Sequence, residues 1–221
     1  MSVPASAESP VVTEDHEPEH GEDETVIENY VAECPIDAEL ADQLIGLADL
    51  PWNDPDATSR AMRALGWTAD AAPTDETRFV TVAGHAIYGD YCLYMPFVHY
   101  YTVGGELWPD DFWGSQPGWS SQPDAGRQDF EACVDAAIER LTERLGPPEW
   151  DVRTEGRNIS IGGYSWRYAA WRRASNILVV GPTLDGYSYS QDEEAVVYIG
   201  QFAEDRPFPD AADFRSLMRT G

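Results

Sequence analysis

The chain has 221 residues, 43% of them hydrophobic, and a formal net charge of −26. That length fits one domain or two, and a body of roughly 190 residues buries about 70% of its unfolded surface, so size alone demands no disulfide or metal. A surface this negative repels nucleic acid and anionic membranes and attracts basic partners, which excludes nonspecific DNA binding.

The charge is uneven. Residues 1–40 hold 12 acids and no Arg, which leaves 28 acids against 14 Arg in the rest. Every basic side chain is Arg and none is Lys. Codon bias in a GC-rich genome or adaptation to high salt would produce that pattern. Cys34, Cys92 and Cys133 are odd in number and far apart, so they form neither a disulfide framework nor a CxxC metal site. Buried free thiols in a reducing compartment are expected. Met1 to Thr13 has neither a basic n-region nor an apolar h-region, and no apolar run approaches the ~18 residues of a membrane span. The expected location is cytoplasmic.

Residues 1–25 are rich in Ser, Pro, Glu and Asp and poor in large apolar side chains. Such a segment cannot offset its ordering entropy and reads as a disordered acidic tail. Residues 26–221 then form a single α+β domain, with order beginning near Val26, Ile27 and Tyr30. Leu40, Ala41, Leu44, Ile45 and Ala48 fall at helical spacing between Asp37 and Asp49, and Pro51 ends the run. Asn53-Asp54-Pro55 offers an N-cap and a first-turn proline for a second short helix, which runs through Leu65 to Gly66 as its C′ residue. Arg78–Ala83 and Tyr91–Tyr101 read as a hairpin with a long loop, and Pro96 assigns the second strand to a sheet edge or a bulge.

The loop from Thr102 to Pro123 holds three of the eight Trp residues, Trp108, Trp113 and Trp119. Loops longer than about 15 residues are uncommon in compact domains, so this one needs a reason. A long helix follows from about Ala125 to Leu145. Phe130, Cys133, Val134, Ala137, Ile138, Leu141 and Leu145 make one apolar stripe, Asp124 is the expected N-cap, and Gly146-Pro147-Pro148 stops it. Its outward face carries Glu131, Asp135 and Glu139, like charges that cost a little stability. Strands are expected at Arg157–Ile161, Tyr164–Arg172, Asn176–Val180 and Ala195–Gly200. Gly162-Gly163, Ser175-Asn176 and Asp185-Gly186 mark turns, and a short helix is expected from Asp210 to Arg219. The fold class is α+β: a mostly antiparallel sheet, one long helix packed on a face, and two short N-terminal helices.

No motif commits the chain to a chemistry. His16 and His20 lie among tail carboxylates, where Pro18 works against a helical metal pair. Cys92 with His85 or His99 is a conceivable nucleophilic pair, but Cys92 and His99 face opposite sides of a regular strand unless a bulge intervenes. Asp54 with Asp56, and Asp110 with Asp111, could hold Mg²⁺ but equally serve as turn and cap residues. No glycine-rich phosphate loop is present, and neither cofactor nor metal is expected. Arg167, Arg172 and Arg173 form the main basic cluster, read as internal ion pairing or an anion pocket.

The partner-binding residues predicted are Trp108, Asp110, Asp111, Phe112, Trp113 and Trp119. Trp is enriched at binding hot spots and neighbouring Asp residues suit a basic partner, although the rings could equally cap the core. Composition and layout resemble those of small immunity or inhibitor proteins of bacterial toxin systems, without a motif that carries over any residue. The expectation is a non-enzymatic protein-binding domain engaging a basic partner. A small-ligand site or enzyme beside the loop, with Asp110, Asp111, His99 and Arg172 as polar candidates, is the first alternative. A DNA mimic built on Glu131, Asp135 and Glu139 is the second.

Overall fold

The computed structural model describes residues 28–71, 77–104, 108–155, 165–184, 192–210, 214 and 217–218. In chain order these hold β1 (Glu28–Glu33), α1 (Ala38–Ala48), α2 (Pro55–Ala64), β2 (Thr68–Ala71), β3 (Thr77–Val80), β4 (Ala86–Ile87) and β5 (Cys92–Val103). Then come β6 (Ser120–Pro123), α3 (Arg127–Leu145), β7 (Trp150–Glu155), β8 (Ser165–Arg173), β9 (Asn176–Leu184) and β10 (Glu193–Gln201). One sheet has seven strands in the order β6-β1-β5-β10-β9-β8-β7, and a smaller one has the order β2-β3-β4. All of these pairings are antiparallel. The tail, the strand expected at Arg157–Ile161 and most of the helix expected at Asp210–Arg219 lie outside the described residues.

The helix starts follow from capping chemistry. The Asp37 carboxylate accepts from the Leu40 N–H at 2.8 Å, and Asp54 accepts from the Ala57 N–H at 3.0 Å with Pro55 behind it. α3 begins later than expected, and Asp124 is not its cap. Gly126 holds that position, and the Asp129 carboxylate accepts from the Gly126 N–H at 2.8 Å. The reason lies upstream: the Ala125 N–H still donates to Asn29 O on β1, so the chain cannot turn into a helix before residue 126.

Two apolar layers sandwich the large sheet. On one face, Leu40, Leu44 and Leu47 of α1 and Phe130, Val134, Ile138 and Leu141 of α3 pack on Leu93, Met95, Leu178, Val180, Val197 and Ile199. Phe79 and Ile87 of the small sheet join this cluster. Each large side chain so buried contributes about 1.5–3 kcal/mol. On the other face, Phe202, Phe214 and Met218 cover Tyr168, Ile177, Val179, Val196 and Tyr198. β9 and β10 are thus buried on both sides, in the period of two that a pleated strand imposes.

One expectation about β5 needs correction, and of the edge or bulge expected at Pro96 the chain takes the bulge. The hairpin pairing Arg78–Ala83 with Tyr91–Tyr101 does not form: β3 pairs with β2 and β4, whereas β5 pairs with β1 and β10. β5 is also an interior strand, not an edge. Pro96 is accommodated by the bulge, because the β10 register jumps from Ala195↔Val98 to Val196↔Pro96 and leaves Phe97 as the extra residue. The β1 ladder stops at Val98, so the missing Pro96 N–H has no strand partner there. Pro182 in interior strand β9 is tolerated similarly, since the β8 ladder ends at Val180.

The acids on the outer face of α3 are largely engaged. Asp135 pairs with Arg153 and Arg167, each at 2.8 Å, and Glu131 pairs with Arg127 at 3.5 Å. Arg167 also holds Asp151 at 2.7 Å, Arg173 holds Asp49 at 2.6 Å, and Arg172 lies 4.2 Å over the Phe208 ring. The basic cluster is therefore consumed in internal pairing.

Candidate functional site

The site grows out of the bulge. Leu93, Met95 and Phe97 point toward the helices, and a regular strand would send His99 the same way. The extra residue at Phe97 reverses the alternation, so Val98 stays on the helix side and His99 and Tyr101 turn to the opposite face. The Trp-rich loop lies over that face. Trp113 stacks on His99 with ring centroids 3.7 Å apart and planes 8° from parallel, and Trp119 lies 5.2 Å from the same imidazole. Trp108 stacks on Phe112 at 5.3 Å, and Phe112 meets Trp113 edge-on at 5.0 Å. The three indoles cap the sheet and give the described part of the loop a packed underside.

Polar contacts pin the stack down. Asp111 accepts from the Tyr101 hydroxyl, the Ser121 hydroxyl and, at 2.8 Å, the Gly114 N–H. Trp108 Nε1 donates to Asp192, and Trp119 Nε1 donates to Gly84 O at 3.3 Å. Gly84 and Gly118 both have positive φ, +106° and +84°, and their backbones meet so closely that a Cβ on either would strike the carbonyl of Pro117 or Ala83. These bonds shift the titrating groups. Burial alone would raise the Asp111 carboxyl, but the bonds from Ser121, Tyr101 and Gly114 outweigh it and hold the pKa below the usual value. Burial and then Asp111 push the Tyr101 phenol well up. Partial desolvation, followed by the charges of Glu28, Asp111 and Asp124, raises the Tyr30 phenol beside it.

The predicted residues divide accordingly. Trp108, Trp113 and Trp119 are half-buried against the sheet, and Asp111 is an internal acceptor. Asp110 and Phe112 are exposed at the tip, with 45% of Phe112 accessible. Arg172 belongs elsewhere, over Phe202 and Phe208.

Comparison of the chain with protein-family models, with curated proteins and with solved structures returned no match.

Other groups the sequence singled out are not brought together. The bulge places Cys92 and His99 on one face, but seven strand residues separate them by about 20 Å. Cys92 sits among Tyr198 and Phe202 instead. The cysteine that does meet a histidine is Cys34: its Sγ lies 3.5 Å from His85 Nδ1, while Nε2 donates to Cys34 O at 2.7 Å. Thr81 Oγ1 completes the knot, accepting from the His85 N–H and facing Nδ1 at 3.2 Å. Burial pushes the thiol up to about 12 and the imidazole down to about 4, so neither is activated, and the knot fastens β1 to the β3–β4 turn. Asp54 is spent on capping α2. Among the described residues no three His, Cys, Asp or Glu side chains gather as a metal site would require, and no helix is long and apolar enough to cross a membrane.

Sequence reasoning missed Tyr94, Thr183 and Glu194. Their positions lie on three strands, and no spacing signal links them. The structure sets Glu194 opposite His99, Thr183 opposite Glu194, and the Tyr94 hydroxyl on the Glu194 carboxylate.

Proposed function

We propose that the protein is a non-enzymatic binding domain of the inhibitor or immunity type, which engages a basic protein partner through the outer tip of the Trp-rich loop. The observation that carries this reading is Phe112: a large apolar side chain nearly half accessible on a loop pinned by ring stacking and by Asp111. An anchor whose loop is already ordered loses little entropy on binding. Exposed Asp110 lies two positions before it, and Glu28, Asp111 and Asp124 set a negative field at Tyr30. Carboxylates around an aromatic anchor favour Arg or Lys from a partner, speed encounter and select against acidic competitors. A cytoplasmic location goes with this reading, since all three cysteines are free thiols. The DNA-mimic alternative has less support, because Arg127, Arg153 and Arg167 interrupt the acidic row on α3.

Quantitative affinity capture from the source cell tests the reading. Wild type, Phe112→Ala and Asp110→Asn serve as baits, with matched unfolding curves to confirm intact folds. A basic protein enriched by wild type and lost with Phe112→Ala is expected. Identical recoveries from wild type and Phe112→Ala would remove the tip from the account.

A further inference from the structure

A buried polar row, separate from the outer tip of the loop, starts at His99 under the indoles and crosses the sheet. Glu194 on β10 stands opposite His99 on β5 and opposite Thr183 on β9. Neighbouring strands are about 4.8 Å apart, so the three side chains form a contiguous strip across one sheet face. His99 and Thr183 are fully buried and Glu194 is 3% exposed. Among the described residues neither ring nitrogen of His99 has a hydrogen-bond partner, and neither does Thr183 Oγ1. His99 Nδ1 points toward Glu194 Oε2 from 3.9 Å, beyond hydrogen-bonding range. The Tyr94 hydroxyl donates to Glu194 Oε1 and fixes how that carboxylate is presented.

Buried polar atoms are rarely left unpaired, and the three here, two on His99 and one on Thr183, flank Glu194 from either side and call for a species that pairs them. We propose that the His99–Glu194–Thr183 row binds a small neutral molecule carrying hydroxyl or amide groups. The chemistry of the row sets that class. Burial lowers the His99 pKa to about 3, so the imidazole is neutral, with one nitrogen donating and the other accepting. Thr183 does both, and Glu194 accepts. A matching ligand must donate and accept at neighbouring atoms, as hydroxyls and primary amides do. An alkylammonium has no lone pair for the imidazole N–H, and a carboxylate has no proton for Glu194. Trp113 and Trp119 lie against His99 with apolar ring faces, which suit a hydroxylated carbon skeleton at that end of the row.

The test titrates the full-length protein with glucose and acetamide, using methylammonium and acetate as counter-probes. It reads tryptophan fluorescence and the ring ¹⁵N shifts of His99. A neutral probe is expected to move both saturably, with no saturable change from either ion. Thr183→Val is expected to weaken the response at least tenfold, and Thr183→Ser to retain it. General stabilisation by polyols persists in Thr183→Val and so is told apart. Wild-type His99 shifts unmoved by both neutral probes would overturn the proposal and leave ordered water as the occupant, whatever the variants do. An undiminished response in Thr183→Val would overturn it too. Capture of a protein partner is expected to survive Thr183→Val, so the tip and the buried row stand or fall separately.

Discussion

Asp111→Ala is the most informative stability change. The substitution removes three accepted hydrogen bonds at once. Tyr101 is only 2% exposed, so its hydroxyl is left buried without its acceptor, at a cost of about 1–3 kcal/mol. Ser121 and the Gly114 N–H are partly exposed and can turn to water, adding about 1 kcal/mol between them. The expected loss is about 2–4 kcal/mol in urea unfolding followed by tryptophan fluorescence. A cycle with Tyr101→Phe should return a coupling of about 1–2 kcal/mol. The pH dependence has a definite sign. The folded pKa of Asp111 is depressed, so its contribution is fully present above the unfolded value near 4 and is lost as pH falls through the folded value. The difference between wild type and Asp111→Ala should be flat around pH 7 and shrink below about pH 4. A loss under about 1 kcal/mol, or a difference that does not shrink in acid, would refute the account of the loop.

Other outcomes follow from the same geometry. Gly84→Ala and Gly118→Ala should each destabilise by more than about 2 kcal/mol in the same unfolding assay, because both need positive φ and the two backbones touch. His85 and His99 are lowered by burial to about 4 and about 3, so the unfolded chain takes up protons first. Stability should fall as pH drops below about 6.5, and His99→Phe should reduce the fitted proton uptake by close to one. Arg167→Met, which breaks the partly exposed Asp135–Arg167–Asp151 pairs, should cost less than about 1 kcal/mol at 0.15 M salt.

The helices were readable because their signals are local. Asp37, Asp54-Pro55 and Gly66 sit where caps belong, and the Phe130-to-Leu145 stripe needs nothing outside itself. The sheet order was not readable. β1 is six residues long, contains Glu28, Asn29 and Glu33, and is a strand because β5 and β6 pair with it from 65 to 93 positions away. The bulge at Phe97 was legible only as a proline that had to be explained, yet it decides which face His99 joins. The loop residues were found by composition, but their division was not: Asp110 and Asp111 are adjacent, and only the meeting of Tyr101, Ser121 and Gly114 makes one internal and leaves the other exposed. Thr183 and Glu194 each look ordinary in sequence and become notable only as cross-strand neighbours of His99.

The central claim is that a rigid, half-exposed Phe112 anchors a basic partner. Its most direct measurement is the dissociation constant of the captured partner for wild type and for Phe112→Ala at 0.15 M salt, by biolayer interferometry on variants of equal stability. The account predicts at least a tenfold weakening, with most of the change in the dissociation rate. Equal constants would contradict it.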